Sequence, residues 1–340
     1  MAALPVPSRV VSRRRFVQAA GLTAAAALEF PRPARAADLL KKAGRTIERK
    51  SKATITPFGL NHNDTLRFTL AGGTPWEMTL LSTSASITER LARPARGGGD
   101  IAAYAFECLL VVNGNQHRIR REVGTQASFY EPTPIDGVNV WFDAASCAFK
   151  EDGGFMAEKD WTLGLVCQPS HKARFVVHET GLPVCPDPIG PWYPNPANRL
   201  DIRDCYDGKD CWMGPYQGAS AHCGLDINMK AGTILSAPIA FDDHYLFHST
   251  AAGFNNNRWR GVRRWPDGSE WWLQAHHLIK MLVPERTPLR AGTPYATTAG
   301  VMVGLHQHSH FILRIIEQGG DFLIDPWILF WESFRQAKRA

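Results

Sequence analysis

Histidine recurs at alternate positions in Gly304-Leu-His-Gln-His-Ser-His-Phe-Ile-Leu313, setting His306, His308 and His310 two residues apart. The β-prone run Phe311, Ile312, Leu313, Ile315 and Ile316 follows, so the stretch predicts a strand. A strand sends residues i, i+2 and i+4 to one face. Three imidazoles would line that face about 6.6 Å apart, at roughly 3.3 Å rise per residue. Rings so crowded repel one another when protonated; they suit metal ligation or acid–base work. The plainer alternative is an exposed His-rich strand edge, and the choice turns on finding further ligands elsewhere.

Eight of the twelve histidines fall between positions 222 and 310. In Ala221-His-Cys-Gly-Leu-Asp-Ile-Asn228, His222 and Asp226 stand four apart, which on a helix would put both on one face. Gly224 and the turn-like Ala231-Gly232 favour extended chain instead. Full extension would part the two residues by about 13 Å, too far for joint chelation, so the segment must bend. Gly224 is the residue that permits a bulge or close approach there, with Cys223 pointing away from the metal side. Further on, Arg258–Trp265 and Glu270–Leu278 flank Pro266-Asp-Gly-Ser269 and predict a hairpin. Its second arm delivers His276 and His277. Successive strand residues face opposite sides, so only one of the two is expected to share the site. Trp259, Trp265, Trp271 and Trp272 are read as packing, or as an aromatic rim for substrate. His62, His117, His171, His178, Asp243, His244 and His248 are read as structural.

Four blocks now stand in order: His222-x-x-x-Asp226, the Gly232-Thr-Ile-Leu-Ser-Ala-Pro238 strand, the hairpin ending His277-Leu278, and His308-x-His310-Phe311. In this order the chain resembles the lysostaphin/LytM-type zinc metallopeptidases, which include β-lytic proteases. The resemblance spans about residues 215–316, roughly a third of the chain. It implies that His222, Asp226 and His310 hold Zn2+, with His277 and His308 as the catalytic pair. Two imidazoles and one carboxylate leave a fourth tetrahedral position for water, as catalytic zinc sites do. One histidine would accept the water's proton and the other stabilise the oxyanion. The chain departs from the family pattern at Gln307, Ser309 and Ile312. His306 shares a face with His308 and His310 and competes for their roles. His276 competes with His277, although Leu278 favours His277.

The elements that must position these residues are β-rich. The hydrophobic content is 44%, and 23 Pro and 29 Gly spread along the chain suggest many short strands and turns. The expected fold class is mainly β: an N-terminal β-sandwich-like domain followed by an antiparallel LytM-type peptidase domain. Sequence divides the chain into 1–36, 37–181 (all-β, role unassigned), a Pro-rich linker 182–198, and a peptidase domain 199–340. Residues 38–50 read as a charged lead-in, one helical turn or a tether. A short amphipathic helix is expected from about Pro326, with 327–331 and Phe334 packed on the catalytic domain.

Residues 1–36 read as an export signal: Arg13-Arg14-Arg15-Phe16, the mildly apolar run Ala19–Leu28, then Ala34-Arg35-Ala36. The arginine pair resembles a twin-arginine signal. The run is far short of the ~20 residues of a membrane span. A periplasmic or secreted location follows. The segment carries six arginines and Glu29, so the 38 basic and 32 acidic residues become 32 and 31 without it, a net +1. The basic footprint of a nucleic-acid binder is therefore lacking. Seven cysteines in an exported chain suggest some disulfides, with Cys205–Cys211 the local candidate; Cys108 and Cys167 are read as free buried thiols. Peptidoglycan peptides are the substrate the resemblance implies. The alternative is a non-catalytic member that binds cell wall or regulates a hydrolase. A third reading makes the N-terminal half a wall- or carbohydrate-binding module.

Overall fold

The structure, a computed structural model, describes residues 44–91, 101–123, 131–145, 171–194, 215–216, 220–221, 224–249, 257–303, 306–317 and 320–337. The reading of residues 1–36 lies outside them. In the N-terminal half the described strands are β1 (Thr46–Lys50), β2 (Thr56–Leu60), β3 (Thr65–Thr69), β4 (Pro75–Leu91), β5 (Ile101–Val112), β6 (Asn115–Val123), β7 (Thr133–Ile135), β8 (Val138–Ala145) and β9 (Ala173–Glu179). They form two sheets, ordered β1-β3-β4-β5-β6 and β2-β9-β8-β7. Asn113 and Gly114, at φ 47° and 86°, close the β5–β6 hairpin in the left-handed backbone that tight hairpins need. Alternate residues of both sheets meet in one core, including Leu66, Phe68, Trp76 and Met78 from the first and Phe58, Phe142 and Phe175 from the second. Phe58 and Phe142 stack on Phe175 at 5.6 and 5.4 Å. This is the expected sandwich.

The lead-in differs from expectation. Residues 46–50 are a strand, paired parallel with β3, because buried Ile47 anchors a segment whose neighbours Thr46 and Glu48 face solvent. The period of two decides the conformation there despite the high charge.

The C-terminal half contains β10 (Pro215–Tyr216), β11 (Ser220–Ala221), β12 (Leu225–Asn228), β13 (Ile234–Ser236), β14 (Asp243–His248), β15 (Asn257–Arg264), β16 (Glu270–Met281), β17 (Pro294–Thr298), β18 (Val301–Val303), β19 (His306–Glu317), β20 (Gly320–Ile324) and the helix α1 (Trp327–Ala337). Its main sheet runs β12-β19-β16-β15-β14, with β17 pairing β13 and β16, and with β18 and β20 on β19. The predicted hairpin is β15–β16, its turn closed by Trp265 and Ser269 with Gly268 at φ 86°. One face of the sheet buries Leu225, Ile227, Trp259, Trp271, Leu273, Ala275, Phe311, Leu313 and Ile315. Each such large side chain removed from water contributes about 1.5–3 kcal/mol. The opposite face presents the intervening residues, and it is there that the histidines stand.

The Pro-rich stretch supports that strand from behind. Val184, Cys185, Ile189 and Trp192 are buried in the same core. Trp192 lies 4.5 Å from Phe311 and donates its Nε1–H to the Tyr295 hydroxyl at 3.0 Å. Helix α1 starts where expected: Asp325 accepts the Trp327 amide at 2.9 Å, and Pro326 occupies the first turn. Trp327, Ile328 and Leu329 are buried, and Trp331 meets Trp141 edge-on at 5.0 Å. A buried ion network secures this junction. Asp143 Oδ2 accepts Arg174 Nε at 2.6 Å, Asp143 Oδ1 accepts the Asp325 amide at 3.0 Å, and Arg121 pairs with Asp325. No helix among the described residues is long and apolar enough to cross a membrane.

Cys108 and Cys185 are free, buried thiols; burial raises the pKa of both, that of Cys185 to about 12, so neither is a reactive thiolate. The Cys205–Cys211 pair and Cys167 lie outside the described residues.

His178 is a structural histidine with a measurable consequence. It is buried beside Trp331, with Nε2 accepting from the Asn139 amide at 3.1 Å, and burial aided by Arg335 lowers its pKa to about 4. Above its unfolded pKa near 6.5 it costs nothing. Below that, the unfolded chain takes up a proton that the folded chain refuses until about pH 4, so stability falls on acidification. Between pH 7 and 5 the native protein should lose about 2 kcal/mol that His178→Gln does not lose, at 1.36 kcal/mol per pKa unit. Urea unfolding of both proteins at the two pH values checks this; an equal acid response in both would remove His178 as its source.

Candidate active site

Strand register brings the chemistry together. Asp226 stands directly across from His310, which stands across from His276, which stands across from Arg258. The row crosses four adjacent strands. Asn228 and Val301 flank His308 in the same way. His308 and His310 are buried, at 2% and 8% exposure, whereas His276 and His277 are half-buried. The imidazole centroids lie 4.8 Å apart for His276–His310, 4.9 Å for His277–His308 and 6.3 Å for His276–His277. Four rings therefore form one cluster.

His276 is the residue that sequence reasoning undervalued. Alternation allows only one of His276 and His277 to face the site, yet both do. The cause is a β-bulge: β15 pairs Asn257 with Leu278 and Arg258 with His276, so His277 is the extra residue. Its φ is 64°, in the left-handed region. The bulge is secured by its carbonyls. Ser309 Oγ donates to His276 O at 2.8 Å, and Ala299 N donates to His277 O at 2.6 Å. Ser309 thus serves from the core side of β19. A left-handed non-glycine residue costs of order 1 kcal/mol. His277→Gly should therefore fold more stably than His277→Ala by about 1 kcal/mol, both having lost the imidazole. Urea unfolding of the two variants measures this, and a more stable alanine variant would deny the bulge.

Gly224 has the expected role. A Cβ on it would collide with the imidazole edge of His310 at Nε2 and Cε1 and with the Phe311 carbonyl. The bare glycine backbone is what lets His310 sit beside the start of β12.

His308 Nδ1 lies 2.7 Å from the Val301 carbonyl. A carbonyl only accepts, so Nδ1 carries the proton and Nε2 is the basic nitrogen. On the far side of the row, Phe247 meets His276 edge-on at 6.1 Å.

Of the five expected site residues, the structure gathers His277, His308 and His310 and sets the Asp226 backbone against His310. His222 lies outside the described residues, Asp226 is described in its backbone alone, and His306 opens β19 with its side chain likewise undescribed. Among the described residues no group of three or more His, Cys, Asp or Glu is arranged to hold a metal. His244 is buried and accepts from Trp259 Nε1 at 3.2 Å, in keeping with a structural role.

No protein-family model matches the chain, and no curated protein matches it in sequence. Among solved structures it is similar to a candidate glycyl-glycine endopeptidase LytM from Ruminococcus gnavus, at 14% identity and a TM-score of 0.24, over 34% of this chain and 48% of that one. The match thus spans about half of that protein's length. It is also similar to a candidate peptidase M23 from Pseudomonas aeruginosa, at 12% identity and TM-score 0.26, over 86% and 97% of the two chains. A third is a zinc-containing peptidase from Vibrio cholerae, at 10% identity and TM-score 0.24, over 76% of each chain. These likenesses are distant, and the functional reading rests on the geometry of this chain.

Proposed function

We propose that the chain is an exported, zinc-dependent endopeptidase of the LytM type acting on peptidoglycan peptides, with the domain division in 182–198. The observation that carries this reading is the imidazole cluster with Asp226 in register beside it and Gly224 cleared beneath His310. The donors fit the metal: His310 and His222 would supply nitrogen and Asp226 oxygen, the set that catalytic zinc takes while keeping one position open. When bound, zinc polarises the substrate carbonyl and lowers the pKa of water. His308 is placed to take the proton of the attacking water at Nε2, because its Nδ1–H is committed to Val301 O. His277, 4.9 Å away ring to ring, would donate a hydrogen bond to the oxyanion and keep its proton, while His308 returns the proton taken from water to the leaving amine as the C–N bond breaks. The bulge holds His277 there.

Zymography on cell-wall material tests the reading. Clearing by the native protein should vanish with a chelator and with His310→Ala. Binding to cell wall without clearing would instead support the non-catalytic reading, and clearing unaffected by either treatment would remove the metal.

A further inference from the structure

We infer that Arg258 and Arg260 form a carboxylate-binding subsite beside the histidine cluster, an inference that rests on the peptidase reading and names what its substrate carries. Strand β15 bears four arginines. Arg263 pairs with Asp187 and Asp242 at 3.0 and 3.1 Å, and Arg264 with Glu270 at 2.8 Å. Nearby, Arg286 pairs with Asp243 at 2.8 Å and Arg314 with Asp321 at 2.6 Å. Among the described residues no carboxylate pairs with Arg258 or Arg260. The Nε atoms of both are buried without a hydrogen-bond partner among those residues.

Arg260 is held in place without being neutralised. Its guanidinium lies 3.9 Å from the Trp272 ring centre and 4.5 Å from that of Phe247, and Nη1 donates to the Tyr245 hydroxyl at 3.1 Å. Aromatic faces attract a cation and fix its plane but leave its charge in place. A guanidinium offers five N–H donors in a rigid fork that fits a carboxylate bidentately, and Arg260 spends one. A half-buried cation without a counter-charge is costly, and an incoming anion relieves that cost.

The position says which anion. Arg258 stands across from His276, itself across from His310, so at about 4.8 Å per strand Arg258 is about 10 Å from His310 along the ladder. Arg260 lies two residues further along the same face. An extended peptide advances about 3.3 Å per residue, so a carboxylate seated here belongs about three residues from the bond at the histidines. It can be a side chain or a chain terminus.

Binding to the full chain carrying His308→Ala, measured by calorimetry, separates these sources without turnover. Three hexapeptides of one backbone serve as probes: one with a free C-terminal carboxylate, one amidated with an internal glutamate, and one amidated with glutamine in its place. At least one charged peptide should bind about ten-fold or more tightly than the neutral one, and which of them gains identifies the source. Arg260→Gln in the same background should abolish the preference and leave neutral-peptide affinity unchanged; Arg258→Gln serves if that variant fails to fold. Equal binding of all three peptides, or a preference that survives both substitutions, overturns the subsite. Failure of the peptidase reading looks different: the unsubstituted chain would cleave none of the peptides while the preference persisted.

Discussion

His308→Ala is expected to lower kcat for peptide hydrolysis by about 10²–10⁴-fold, the range for removing a positioned general base. KM should change little, because the imidazole moves a proton and does not grip the peptide. The expectation rests on a tautomer fixed by the fold. Val301 O can only accept, which assigns the proton to Nδ1 and basicity to Nε2. His308 is 2% exposed, so its loss will also cost stability; measuring activity well below the unfolding temperature keeps the two apart. His308→Gln, of closer size, should stay as inactive as the alanine variant. A kcat reduced less than ten-fold would take His308 out of proton transfer and pass that role to His277 or His276.

The largest expected effect on stability is at Asp143, more than 130 residues from the histidine strand. Asp143→Ala should destabilise the folded chain by about 3–5 kcal/mol, as when one member of a buried ion pair is removed. The carboxylate is fully buried and accepts from Arg174 Nε and from the Asp325 amide, and it lies 3.7 Å from Arg121. Those partners come from β9, the turn before α1 and β6, so one side chain joins the sandwich to the helix cap. Asp143→Asn keeps the shape, removes the charge, and should fall between. Urea unfolding measures both. A loss below 1 kcal/mol for the alanine variant would mean the arginines find other acceptors.

Much of this was legible in the sequence because its signals are local. Pro266-Asp-Gly-Ser269 between β-prone arms specifies the hairpin, alternation in 306–316 specifies β19, and Asp325-Pro326 marks the start of α1. Gly224 in a segment that must bend pointed to a bulge or a close approach, and it is His310 that approaches there. What escaped depends on departures from regularity or on absent partners. Nothing marks His277 as a left-handed residue, since a histidine lacks the glycine signal that betrays a bulge, and without the bulge His277 would face the core while His276 stood beside His310. Nothing in the sequence separates Arg258 and Arg260 from Arg263 and Arg264 of the same arm. Their interest arises only when the carboxylates nearby are found to serve other arginines. Residues 46–50 look like a tether because charge dominates the composition, whereas buried Ile47 sets the conformation.

The proposed chemistry requires one zinc ion held by His222, Asp226 and His310. Elemental analysis of the purified protein, before and after dialysis against a chelator and reloading, tests it most directly. One zinc per chain is expected in the native protein, with loss from His222→Ala, Asp226→Ala and His310→Ala and retention in His308→Ala. A native protein that takes up no zinc, or a His310→Ala variant that keeps it, would contradict the account.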